Sequence, residues 1–373
     1  MVISNNGYIQ IKLKIISFVE TIPGSAIRKR KRVFDLCVTG SSSRPRVESP
    51  LTILHGLVNS ESLKFINHSA HGLTSGVKFL TSGFESVVIK NDDIFVTDEL
   101  IGNVFFKELN LPIPNFDFSH SDYIPGFSSL RVVSLKKKRV VLLTEECGLG
   151  VGDQFFIFEH IVGDDFLGIR ESQIKKYFMD EDVFSNIGLS AMFDLGRIFA
   201  GDLLLANFDR IPFPNSLILA LKLSIGHKCE GNASNIFINT EGKVFAIDQV
   251  VHEGLYDESL VEDYAAALKE LIDEMKIAKE NPLVDIKEIS NYGQLISRLN
   301  LFIGVKGLEI DDCVEQCFLN GFFYELELVK RLDINQLFKM MKEQYVYQYK
   351  KEPKCFEKLR MSLLTNQAQI KCC

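Results

Sequence analysis

Three short pieces of the chain carry groups that could do chemistry together: Asn207-Phe208-Asp209-Arg210, Gly231-Asn232-Ala233-Ser234-Asn235 and Ala246-Ile247-Asp248. Each sets an acid or amide in a loop or at a strand end, in the order acid, amide, acid. Phosphoryl transfer needs these parts. One carboxylate orients the attacking hydroxyl and accepts its proton, and hard oxygen donors hold Mg²⁺ against nucleotide phosphates. Asp209 is the candidate catalytic base, and Asn235 and Asp248 are the candidate metal ligands. Alone, Asp209 reads as a surface acid beside Arg210, and Asp248 as the cap of the following loop. The order of the three shifts that balance. Asp248 also ends the apolar run Val244-Phe245-Ala246-Ile247, where a carboxylate without a partner would be costly. An enzyme using ATP and Mg²⁺ is the expectation.

Upstream, Val87-Val88-Ile89-Lys90 puts a lysine after three apolar residues, a buried stem with its ammonium at a phosphate. A strand-end lysine in solvent has the same local pattern. Glu99, early in the next helix, would pair with Lys90, and Asp98 competes because helix register from sequence is loose by a residue. Residues 68–76, small and hydroxyl-rich with Ser69 and Gly72, would cradle phosphate oxygens through backbone N–H groups. Phe158-Glu159-His160-Ile161 ends a strand before the chain crosses to its second half. In a kinase-like fold Glu159 O and Ile161 N would meet adenine there, with Phe158 behind the pocket.

The elements that must position these groups follow from periodicity. Residues 1–60 read as an extension, a strand or two and then a polar loop. Strands are expected at 62–67, 76–81 and 85–90, and a helix at 98–109 with Thr97 as its N-cap. Further strands are expected at 130–135, 139–144 and 155–161. After Gly163 the pattern turns helical, at 171–178 and 186–200, interrupted by a hairpin over 236–239 and 244–247. Beyond residue 260 several helices are expected, broken near Asn281-Pro282, Asn291-Tyr292-Gly293 and Gly304. The expected fold is α+β and two-lobed, protein-kinase-like, with a small antiparallel β-rich lobe over 61–162 and a larger helical lobe over 163–373.

Composition narrows the function classes. With 46% hydrophobic and 24% charged residues the chain reads as globular, and its net charge of −7 argues against a nucleic-acid partner. The eight cysteines form no C-x-x-C pair, which points away from a zinc site or disulfide framework and toward a reducing, cytoplasmic setting. The apolar stretch 8–19 is interrupted by Lys12 and Lys14, a strand pattern rather than a membrane anchor. Arg28-Lys29-Arg30-Lys31-Arg32 reads as a solvated loop, with nuclear import as the minor alternative.

The stretch from Leu195-Gly196-Arg197 through Asn207-Phe208-Asp209-Arg210-Ile211-Pro212, with Gly231-Asn232-Ala233-Ser234-Asn235 and Ala246-Ile247-Asp248-Gln249, resembles the catalytic segment of the actin-fragmin kinase family. That family is a divergent protein kinase fold, distantly similar to phosphatidylinositol kinases, and the resemblance covers roughly residues 60–340. It implies a Ser/Thr protein kinase with Asp209 as base, Asn235 and Asp248 on the metal, and Lys90 as the small-lobe lysine. It also implies actin, presented with its capping partner, as the protein substrate. The chain departs from ordinary kinases in placing Asn235 26 residues after Asp209 rather than five. It also lacks Asp-Phe-Gly and Ala-Pro-Glu triplets, so a conventional activation loop is not expected.

Two other readings stay open. A phosphoinositide kinase shares the Asp-Arg…Asn…Ile-Asp pattern, although the acids between Val250 and Asp263 would repel an anionic membrane. A catalytically silent pseudokinase or actin-binding scaffold is the third, opposed by the complete residue inventory.

Overall fold

The computed structural model describes residues 48–59, 64–66, 77–82, 85–91, 96–127, 130–134, 139–149, 153–169, 189–223, 231–281, 290–304, 310, 312–345 and 353–373. The expected strand at 8–19, the basic run at 28–32, the loop 68–76 with Ser69 and Gly72, and the helix at 171–178 lie outside the described residues. Residues from Ser49 to Cys373 form one compact unit.

Five strands build the sheet of the small lobe: β1 (Lys64–Ile66), β2 (Val77–Thr81), β3 (Ser86–Lys90), β4 (Phe116–His120) and β7 (Gln154–Glu159), in the order β1-β2-β3-β7-β4. Every neighbouring pair is antiparallel. Between β4 and β7, β5 (Arg131–Ser134) and β6 (Arg139–Leu142) form a separate two-stranded ribbon. Alternation sorts the side chains of the large sheet by face. Leu80, Val87, Ile89, Phe155 and Ile157 share one core with α1 (Pro50–Val58). The opposite face carries Lys90 across from Phe156, and Phe158 across from Phe116. Phe116 and Phe156 belong to a second core that also takes in α2 (Val96–Glu108) and the helices beyond residue 189, and Phe158 packs against it.

Before Gly148, four elements differ from expectation. Helix α1 lies in the stretch read as an extension, yet its Leu54, Leu57 and Val58 complete the small-lobe core. Its start was visible as Ser49-Pro50: the Ser49 hydroxyl accepts from Thr52 N at 3.2 Å, with proline in the first helical turn. β4 was masked by the prolines at 112 and 114, although Phe116-Asp117-Phe118 alternates as a strand should. The strand expected to reach 144 ends at Leu142, where α3 (Leu143–Cys147) begins. α2 starts at Val96, which puts Thr97 inside the first turn rather than at the cap.

The large lobe begins with β8 (Gly163–Asp165), also unanticipated, which joins β9 (Ile236–Asn239) and β10 (Val244–Ala246) in a three-stranded antiparallel sheet. Around it lie α4 (Leu189–Leu205), α5 (Asn215–Ala220), α6 (Glu258–Glu280), α7 (Asn291–Gly304), α8 (Asp312–Arg331), α9 (Ile334–Tyr345) and α10 (Pro353–Cys372). Asn291-Tyr292-Gly293 opens α7 rather than breaking a helix, because Ser290 Oγ accepts from Gly293 N at 3.0 Å. Among the described residues no helix is long and apolar enough to cross a membrane.

α4, which leads into Asp209, is clamped to α8 at backbone distance. A Cβ on Gly196 would fall 2.0 Å from Phe318 O, and one on Gly321 1.9 Å from Phe193 O. Beside this seam Arg197 Nε donates to Glu325 Oε2 at 2.9 Å, and its two Nη groups reach Asp194 and Asn110 O. Glu325 Oε1 is buried without a hydrogen-bond partner among the described residues. Burial raises the Glu325 pKa to about 7 against the pull of Arg197, and the charge of Asp194 adds to the rise. The folded state therefore holds the extra proton between the ordinary value of 4.5 and about 7. This stabilisation is present below the lower value and is lost as pH rises through the upper one. Glu325→Gln should flatten that part of a curve of thermal midpoint against pH. A slope identical to wild type would show that Glu325 has the same proton affinity folded and unfolded.

Candidate active site

Lys90 ends β3 on the α2 side of the sheet, and its side chain is almost fully buried. Its ammonium lies 2.8 Å from Glu99 Oε2 and 2.6 Å from Asp248 Oδ1. Burial works to strip its proton, but Glu99 and then Asp248 outweigh that and hold the ammonium above its ordinary range. Glu99, not Asp98, is the partner. The neighbouring Asp98 instead accepts from the hydroxyl of Tyr256, so both acids of the first turn of α2 are engaged. α2 also lies directly on the chain after Asp248: a Cβ on Gly102 would fall 2.0 Å from Gln249 O. Only glycine lets the helix carrying Glu99 approach so closely.

Asp209 follows the end of α4. Ala206 turns into the left-handed region at φ 53°, and Asn207 N reaches back to Asp202 O at 2.8 Å, a Schellman-type close. The next residues are thereby aimed out of the helix. Asp209 is then held by the second motif. Asn232 N donates to its carbonyl at 2.7 Å, and Asn235 Nδ2 donates to its Oδ2 at 2.9 Å. Asn232 in turn caps the short turn 233–235 by accepting from Ser234 N, and its Nδ2 reaches Asn235 Oδ1 at 3.3 Å.

The β9–β10 hairpin brings the third motif to the same place. Ala246 pairs with Ile236, and Ile247 N donates to Asn235 O at 3.0 Å. Asp248 leaves the hairpin at φ 58°, a conformation that costs a non-glycine residue about 1–3 kcal/mol and persists only where its surroundings impose it. Asp is among the residues that tolerate it best. Burial first, then the charge of Asp248, raises the pKa of Asp209, while Asn235, Arg210 and Lys90 pull it down.

The donors converging here are carboxylate and amide oxygens, the set that Mg²⁺ prefers, and the two carboxylates repel each other in a partly buried setting. Asn235 Oδ1 and the Asp248 carboxylate are oxygen donors of that set, with Lys90 holding one Asp248 oxygen at 2.6 Å. With Nδ2 of Asn235 on Asp209, its Oδ1, which also accepts from Asn232 Nδ2, is the atom that would face a metal. Lys90 touches both Glu99 and Asp248, and Asn235, which holds Asp209, accepts at its carbonyl from Ile247 N, the residue before Asp248. Phe158 shares the sheet face with Lys90, its ring stacked on Phe156 at 5.5 Å. Glu159 and Ile161 lie where the chain leaves β7 for β8. There Glu159 Oε2 is held by Asn115 Nδ2 at 2.6 Å, a contact that places no ligand. Ser69 and Gly72 lie outside the described residues.

Sequence reasoning missed Asp202 and Arg210. Both side chains are fully buried and paired with each other. Burial raises the Asp202 pKa to about 6 although Arg210 and Asn207 oppose it. Arg210 was legible only as a neighbour of Asp209.

The site thus sits in an α+β fold, with Lys90 on the third strand of an antiparallel sheet, paired with a helix glutamate and in contact with Asp248. No family model matches the chain, and no curated protein matches it in sequence. Among solved structures it is similar to a chain of the Shewanella oneidensis HipA–HipB toxin–antitoxin complex with operator DNA. The identity is 11% and the TM-score 0.30, over 84% of this chain and 64% of that one, so this chain spans just under two thirds of its length. It is also similar to a candidate aminoglycoside phosphotransferase of Ralstonia eutropha, at 9% identity and TM-score 0.27, over 86% of this chain and 98% of that one.

Proposed function

We propose that this chain is an ATP-dependent phosphotransferase of the actin-fragmin kinase type, moving the γ-phosphoryl group of ATP to a serine or threonine hydroxyl of a protein. The observation that carries the reading is the grip on Lys90, 2.8 Å from Glu99 and 2.6 Å from Asp248, beside an Asp209 oriented by Asn235. Actin, alone or with its capping partner, is the proposed substrate, and the cytoplasm is the proposed setting.

Each residue then has a task. Lys90, fixed by Glu99, presents a permanent positive charge to the phosphates. Asn235 and Asp248 would hold Mg²⁺, which would supply neutralisation of phosphate charge when bound. Asp209 accepts the hydroxyl proton as the oxygen bonds to the γ-phosphorus and the bond to the ADP oxygen breaks. Asn235 fixes one oxygen of Asp209, leaving the other to face the incoming hydroxyl. Burial and the charge of Asp248 make Asp209 more basic than a solvated aspartate, which favours that transfer.

Incubation with γ-labelled ATP and Mg²⁺ tests the reading, with actin, actin–fragmin and phosphoinositide vesicles as acceptors. Label on protein serine or threonine is expected. Label confined to lipid would replace it with a phosphoinositide kinase. No transfer to any acceptor, with nucleotide still bound, would make the chain a silent binder.

A further inference from the structure

The side chain that touches most of the candidate site is none of those expected to do chemistry. Arg210 follows the candidate base and is fully buried, with its guanidinium spread over four elements. Nε donates to Asn235 O at 3.2 Å, and one Nη donates to the carboxylate of Asp202 on α4. The other Nη donates to Ile247 O at 2.7 Å and reaches Asp248 O at 3.4 Å. The guanidinium also lies over the Phe106 ring of α2, the helix that carries Glu99, 5.5 Å from the centroid.

We infer that Arg210 is the positioning residue of the site: through main-chain carbonyls it sets Asn235 and Asp248 relative to Asp209, and so sets the affinity for the divalent cation. A fork of fixed geometry can satisfy carbonyls from two separate loops at once, and a lysine ammonium cannot reproduce that span. The left-handed backbone of Asp248 needs such external restraint, and Arg210 engages the carbonyls on either side of its Cα. Asp202 supplies the compensating charge that makes a buried arginine tolerable and ties the fork to the helix preceding Asp209. Asn207 helps from the same turn, its Nδ2 3.3 Å from Asp202 Oδ1 and 3.4 Å from Asp248 O.

This inference rests on the phosphotransferase reading, and binding rather than turnover tests it. The thermal shift produced by ADP alone and by ADP with increasing Mg²⁺ is measured for wild type, Arg210→Lys and Asp202→Asn. Wild type should show an Mg²⁺-dependent increment. In Arg210→Lys the Mg²⁺ concentration giving half of that increment should rise at least tenfold, while the shift from ADP alone stays within about twofold. A purely structural role would lower the midpoint without ligand and leave the Mg²⁺ requirement unchanged. Asp202→Asn keeps an oxygen for the guanidinium and should raise the requirement about threefold. If Arg210→Lys does not fold, a wild-type Mg²⁺ requirement in Asp202→Asn overturns the inference. If wild type shows the increment and Arg210→Lys matches it, the inference fails and the phosphotransferase reading stands. No increment in wild type overturns both.

Discussion

Asp209→Asn should bind Mg-ATP about as tightly as wild type and transfer phosphate about 10²–10⁴-fold more slowly, the range that one positioned proton acceptor contributes. The structure supports this separation of binding from transfer. Asp209 meets Asn235 through one side-chain hydrogen bond, at 2.9 Å, and its backbone is held independently by Asn232 N. An asparagine in the same place keeps the shape and one oxygen for Asn235, but it cannot take up the hydroxyl proton. It also removes one of two repelling carboxylates, so nucleotide affinity should hold or rise. Single-turnover transfer beside equilibrium nucleotide binding makes the comparison. Full transfer by the variant would remove Asp209 from the mechanism, and loss of binding would make its role structural.

The second large effect concerns Lys90. Lys90→Met should abolish detectable transfer and also weaken the protein without ligand, because Glu99 then loses the buried ammonium it contacts. Breaking one side of a buried ion pair costs about 3–5 kcal/mol, since the remaining charge is left uncompensated. Adding Glu99→Gln removes that charge. The double variant Lys90→Met/Glu99→Gln should recover part of the lost stability while transfer stays absent. Denaturant midpoints and transfer rates of both variants and wild type check this. A double variant no more stable than Lys90→Met would mean that Glu99 is already neutral or reaches water. Activity in either variant would mean that another cation holds the phosphates.

Much of the frame was legible in local pattern. The run Val87-Val88-Ile89-Lys90 is apolar and β-branched strongly enough to place a strand and its terminal lysine. The 236–246 hairpin was readable from two apolar runs around Glu241-Gly242, and pairing then brings Asn235 and Asp248 to the same end of it. β8 was not readable, because Gly163-Asp164-Asp165 has no strand signal and pairs only because β9 is there to receive it. The choice between Asp98 and Glu99 was also beyond local reasoning. Adjacent helix positions differ by about 100° around the axis, and a single residue of register decides which one faces β3.

The identity and order of Asp209, Asn235 and Asp248, and the hairpin that joins the last two, were therefore determined by the sequence. They depend on strand period and turn chemistry, which act over a few residues. Tertiary structure alone decided which acid meets Lys90 and how near α2 lies to the chain after Asp248. It also turned Arg210 from an apparent surface neighbour into a buried hub. The carbonyls that Arg210 binds lie 25 to 38 residues along the chain, and their direction is set by loops closing on one another. Side-chain type can place a charge on a local element, but only packing decides which distant backbone it must satisfy.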